Sequence, residues 1–141
     1  MFQDLETIRI NKHGVWLSNG EEITHRETLR AFKRHLGRDE KGYFIQIGVD
    51  FKRIEVEDAA YFVEQIFKSE GQIQMRLSDE TTEILDLKTL SYEPSRLVCK
   101  IKSGKEIARF LPHPYHELLL FCEPEGQRHL LQLGNEKITL G

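Results

Sequence analysis

No run of this sequence is apolar for long enough to cross a bilayer. The longest aliphatic-rich stretch, Leu118-Leu-Leu-Phe-Cys122, falls far short of the roughly 20 residues a spanning helix needs. Cysteine is nearly absent. Cys99 and Cys122 fit neither a metal-ligand pattern nor a disulfide framework, so reduced thiols are expected. The chain also lacks GxSxG, Walker-type and dinucleotide glycine patterns, and HExxH. No cofactor is therefore expected, and enzymatic activity has no support in the sequence. An excess of positive charge is missing too. The net charge of −3 argues against broad nucleic-acid binding, which leans on phosphate neutralisation. The first residues, Met-Phe-Gln-Asp-Leu-Glu, carry neither the basic nor the apolar region of a secretory signal, and a cytoplasmic location is expected.

What is there is an ordinary folded composition, 39% hydrophobic and 30% charged. At 141 residues the chain fits one domain or two small ones sharing a core. Two parts are expected, an N-terminal α+β part over 1–59 and a strand-rich part with one helix over 60–141. Charge changes sign between them. Residues 25–53 hold eight Lys/Arg against four Asp/Glu, and residues 55–93 hold three against ten, so the parts could attract each other.

Ile8 to Ser18 reads as a hairpin about the Asn11-Lys-His-Gly14 turn, and Asn19-Gly20 is a second turn signal. Thr24 with Glu27 has capping-box spacing and predicts a helix start. Leu29, Phe32 and Leu36 recur at helical spacing, with Gly37 as the stop. Strands are expected at Tyr43 to Ile47, Phe51 to Asp58, Tyr61 to Lys68, Gln72 to Ser78, Thr82 to Leu87 and Arg96 to Lys102. After a Ser103-Gly104 turn, a second helix enters at Pro112 and Pro114 and runs to Pro124. Strands near Leu130 to Leu133 and Lys137 to Leu140 finish the chain. Phe44-Ile-Gln-Ile-Gly48 and Leu130-Leu-Gln-Leu-Gly134 echo each other, which suggests duplicated hairpin-helix-hairpin units.

The site reading centres on Arg53-Ile-Glu-Val-Glu-Asp58. In one extended strand, Arg53, Glu55 and Glu57 share a face with Phe51, while Ile54, Val56 and Asp58 share the other with Lys52. Such a row can bind a polar ligand, seat a basic partner or face water. Arg26 sits in a first helical turn, where a cation gains nothing from the dipole, and a specific partner is expected for it. Arg30 and Lys33 extend its basic stripe, which water alone could also explain. Arg109 lies among apolar neighbours and needs an acceptor, with Glu55, Glu57, Asp58 or an anionic ligand as candidates. Trp16 can stack on a planar ligand or fill the core. His113 and His116, beside Glu117, have helical metal-ligand spacing without an obvious third ligand.

These pieces resemble the bacterial DUF1285 family. The matching residues are Ile10-Asn-Lys-His-Gly-Val-Trp16, Gly20, Ile23-Thr-His-Arg26, Leu29, Phe32 and Leu36. They continue with Asp39-Glu-Lys-Gly-Tyr43, Ile54-Glu-Val-Glu-Asp-Ala59, Ile107-Ala-Arg109, Tyr115-His-Glu-Leu118 and Leu140-Gly141. The chain departs from the family at Gly48-Val49, where a Thr-Pro pair is usual, and at Ala60, where Pro is favoured. The resemblance implies a duplicated α+β architecture whose second part is a barrel loosely like a pleckstrin-homology domain. It also implies a pocket between the parts for a nucleotide-like ligand, and a signalling role.

The leading expectation is non-enzymatic binding of a small anionic ligand where the parts meet. Arg26 and Arg109 would contact the anion, and Trp16 or Tyr115 would stack. Arg53, Glu55, Glu57 and Asp58 would complete the site. A protein–protein interaction module without a small ligand is the alternative. A metal-dependent hydrolase using His113 and His116 is a distant third.

Overall fold

The computed structural model describes residues 6–141. It is mixed α+β, mostly strands with two helices, and none of its sheets closes into a barrel. The chain divides into two compact units, Met1–Ala60 and Tyr61–Gly141.

In the first unit, β1 (Ile8–Ile10) and β2 (Trp16–Ser18) form an antiparallel hairpin with Ile10 opposite Trp16. Its turn is tied by Asn11, whose Oδ1 accepts from the His13 and Val15 amides at 2.9 and 3.0 Å. Asn19 and Gly20 then reverse the chain with positive φ into the two-residue β3 (Glu21–Glu22). Helix α1 spans Arg26–Arg34. Its N-cap is His25 rather than Thr24, because the His25 Nδ1 accepts from the Thr28 amide at 3.2 Å. Phe32 faces the core, and Lys33 and Arg34 lie in the last turn, where the dipole favours cations.

Gly37 does not stop this helix. It lies in β4 (Leu36–Asp39), which forms a three-stranded antiparallel sheet with β5 (Gly42–Ile47) and β6 (Asp50–Arg53). The expected single strand from Phe51 to Asp58 is two. After β6 the chain leaves that sheet at Ile54, and β7 (Glu55–Val56) pairs in parallel with β1. The alternation of sides persists: Ile54 is buried, and Glu55 and Glu57 are exposed.

The second unit holds a six-stranded sheet in the order β10-β9-β8-β13-β12-β11. Its strands are β8 (Tyr61–Ser69), β9 (Gln72–Leu77), β10 (Thr82–Ile84), β11 (Ser91–Glu93), β12 (Arg96–Ile101) and β13 (Glu106–Phe110). β8 and β13 pair in parallel at its centre. Ile73, Met75, Leu77, Leu97, Cys99 and Ile101 are buried, as their alternation with polar residues requires. A 3-10 turn, Leu87–Thr89, begins at the end of what reads as one strand from Thr82 to Leu87. Helix α2 (Pro112–Leu120) packs on β8 and β13, with Leu118 fully buried. A three-stranded sheet of β14 (Glu123–Glu125), β15 (Arg128–Leu133) and β16 (Glu136–Leu140) follows it. Pro124 lies in the edge strand β14, where a missing N–H is tolerated.

Each helix is thus followed by a three-stranded antiparallel meander. The echoing segments are the middle strands, β5 and β15, and each is followed by a glycine with positive φ, Gly48 or Gly134.

Candidate functional site

Six of the eight expected site residues belong to the first unit and two to the second. Arg53 does not form a row with Glu55 and Glu57. It reaches back across its sheet to Asp39, with Nη1 to Oδ1 at 2.8 Å and Nη2 to Oδ2 at 3.1 Å, and Nη1 also donates to the Gly42 carbonyl. Its guanidinium lies 5.1 and 5.7 Å from the centroids of Phe51 and Phe44, which are stacked 5.1 Å apart. The Arg53 hydrogen bond and the Lys41 amide hold the Asp39 carboxyl below its ordinary range.

Glu57 is paired with Arg9, Nη2 to Oε1 at 2.9 Å, and that hydrogen bond lowers its pKa. Glu55 is the strand partner of Arg9 in the β1–β7 pair. Sequence reasoning missed Arg9. Its signal is the exposed middle place between Ile8 and Ile10, on a strand whose pairing with β7 is non-local. Asp58 is half-buried.

Trp16 is 3% exposed, and its ring lies 6.1 Å from Phe32. Arg26 is exposed and has no hydrogen-bond or ion-pair partner among the described residues. In the second unit, Arg109 is half-buried and donates from Nη2 to the Ser95 carbonyl at 3.2 Å. Tyr115 stacks on Tyr92 at 6.3 Å. Burial first, and then a hydrogen bond with Tyr92, pushes its phenol up to about 12. His113 Nε2 lies 3.0 Å from Glu117 Oε1, and the ring of His116 meets Tyr115 edge-on. Among the described residues, no group of three or more His, Cys, Asp or Glu is placed to hold a metal ion.

A polar cluster that sequence reasoning also missed surrounds Lys102. Its Nζ lies 2.8 Å from Asp79 Oδ2 and 5.0 Å from the Tyr61 ring centroid, while its amide donates to the Glu83 carboxylate at 2.9 Å. Lys102, Ser103 and Gly104 all have positive φ, a run of left-handed residues that the Glu83 carboxylate anchors. Burial alone would raise the Asp79 pKa, but the hydrogen bonds from Lys102 and Thr81 outweigh it and the net shift is downward. A carboxyl depressed by folding stabilises the fold above its unfolded pKa of about 3.9, and that stability is lost as pH falls through the folded value. The stability gap between wild type and Asp79→Asn is therefore expected at neutral pH and should shrink below about pH 4. Urea denaturation across pH measures it, and a gap that persists in acid contradicts the assignment.

No protein-family model matches the chain, and no curated protein does either. Two solved structures share its fold. A DUF1285 family protein from Silicibacter pomeroyi DSS-3 superposes with a TM-score of 0.70 at 16% identity, over 94% of this chain and 78% of that one. A DUF1285 family protein from Shewanella baltica OS155 gives 0.63 at 18% identity, over 82% of this chain and 91% of its own. At these identities the likeness is one of fold, and it supports the family resemblance carried by the residues quoted above.

Proposed function

We propose that this chain, which shares its fold with two DUF1285 proteins, is a non-enzymatic binding protein for a small anionic, nucleotide-like ligand and acts in signalling. The observation that carries the reading is Arg26. The other arginine of the expected site in the first unit is committed to a carboxylate, Arg53 to Asp39. Arg26 is exposed at the first position of α1, without an acceptor among the described residues. There its charge adds to the positive end of the helix dipole, a combination that attracts an anion.

The thiols and carboxylates support a binding rather than a catalytic role. Burial, with the charge of Glu83, pushes the Cys99 thiol up to about 12, and burial also raises Cys122. Neither is a ready nucleophile at neutral pH. The Asp39 and Glu57 carboxyls are held ionised by arginines and are poor general acids. The matching helix-plus-meander segments of the two units support descent from a duplicated hairpin-helix-hairpin unit.

Thermal-shift measurements with ATP, GTP and inorganic phosphate test the ligand. A nucleotide at a hundredfold excess over its Kd should raise Tm by roughly 5–10 °C. Arg26→Ala should abolish the rise while leaving the ligand-free Tm unchanged. Tm values that stay flat with every probe, or a rise that survives Arg26→Ala, overturn the reading.

A further inference from the structure

A groove of about 460 Å³ runs along the second unit, lined by Leu87, Lys88, Glu136, Lys137 and Ile138. One bank is the 3-10 turn at Leu87–Thr89, and the other is β16. Three observations there go together. First, β16 is an edge strand. β15 pairs with one side of it, and its other edge has no backbone hydrogen-bond partner among the described residues. Such an edge offers a row of N–H and C=O groups ready for another strand. Second, the groove has an apolar floor, made by buried Leu87 and half-buried Ile138. Third, Lys88 and Lys137 stand exposed on opposite banks, and neither ammonium has an ion-pair partner among the described residues.

We propose that this groove takes an extended, acidic peptide segment of a partner protein, added as a strand on the free edge of β16. Main-chain hydrogen bonds would supply affinity, alternate apolar side chains would enter over Leu87 and Ile138, and the intervening carboxylates would meet Lys88 and Lys137. Charge selects this occupant. A second copy adding its own β16 would bring one carboxylate and one ammonium, Glu136 and Lys137, and so no net negative charge to meet the two lysines. A basic segment would meet two lysines against Glu136 alone. This surface involves none of the residues assigned to anion binding, so the two proposals stand or fall separately.

A fluorescein-labelled peptide of alternating glutamate and valine is the probe, read by anisotropy, with amide chemical shifts as the second readout. Saturable binding below about 1 mM is expected, with the largest shifts in Glu136–Leu140. Lys88→Glu with Lys137→Glu should weaken it at least about tenfold and remove its salt dependence, while the exposed positions leave the thermal melt unchanged. Two control peptides should not bind. One has lysine in place of glutamate, and the other is N-methylated at alternate residues, which keeps the charge but blocks strand pairing. No saturable binding overturns the proposal. So does equal binding of the N-methylated peptide, an unchanged affinity in the lysine variants, or shifts confined to residues outside the groove. Self-association of the free chain through β16 overturns the choice of occupant.

Discussion

Replacing Trp16 with alanine is expected to destabilise the protein by about 3–5 kcal/mol, the range for deleting a buried large aromatic. The ring is 3% exposed, faces Phe32, and sits on a hairpin whose Ile8 and Ile10 are 1% and 0% exposed. The hairpin is short, with three residues in each strand, so each packed side chain carries a large share of its burial. Collapse around the vacated volume is limited because the neighbouring strand residues are themselves fully packed. The loss should exceed that of Arg26→Ala by several-fold, since an exposed substitution without a partner typically stays within about 0.5 kcal/mol. Urea denaturation followed by circular dichroism measures both, because the variant loses the chain's only tryptophan and with it the indole fluorescence. A cost below about 1 kcal/mol would show that the ring contributes little to packing and would return it to the role of a ligand stacker.

Gly37→Val is expected to cost about 1–3 kcal/mol, through overpacking rather than through loss of a contact. Gly37 faces Phe44 across the β4–β5 pair, and a Cβ at Gly37 would lie 2.6 Å from the Phe44 ring. Making room displaces the ring from its stack with Phe51 and the Arg53 guanidinium, which is hydrogen-bonded to Asp39. A double-mutant cycle isolates the clash. In a Phe44→Ala background, Gly37→Ala should become neutral or stabilising, since a strand glycine carries an entropic cost of about 0.5–1 kcal/mol relative to alanine. An equal cost of Gly37→Ala in both backgrounds would place the strain elsewhere.

These two positions also show what the sequence could and could not disclose. The side of a strand that a residue faces is a local property, fixed by alternation. It was legible for Ile73, Met75 and Leu77, for Leu97, Cys99 and Ile101, and even across the break at Ile54. Which strand a segment pairs with is not local. Nothing near Glu57 in the chain points to Arg9, and nothing near Arg53 points to Asp39. The parallel pairings of β1 with β7 and of β8 with β13 bring together segments that no short-range signal connects. Gly37 reads as a helix stop because glycine commonly ends helices. Here the absence of a Cβ makes room for the Phe44 ring lying over Gly37, a circumstance set by a residue in the next strand. The choice of His25 over Thr24 as cap turns on the position of one side-chain acceptor, which spacing rules do not resolve. For the site, residue types suggested cations and carboxylates in register. The fold instead pairs Arg53 with Asp39 and Glu57 with Arg9, gives Arg109 the Ser95 carbonyl, and leaves Arg26 without an acceptor among the described residues.

The passage of the chain from β6 to β7 through Ile54 has a mechanical consequence. The Ile54 amide bonds to the Tyr43 carbonyl in one sheet, and three residues later the Glu57 amide bonds to the Ile10 carbonyl in the other. No slack loop separates the two attachments. A tug on either sheet is therefore delivered to its neighbour through a taut splice of backbone, and the first unit should yield under load as a single piece.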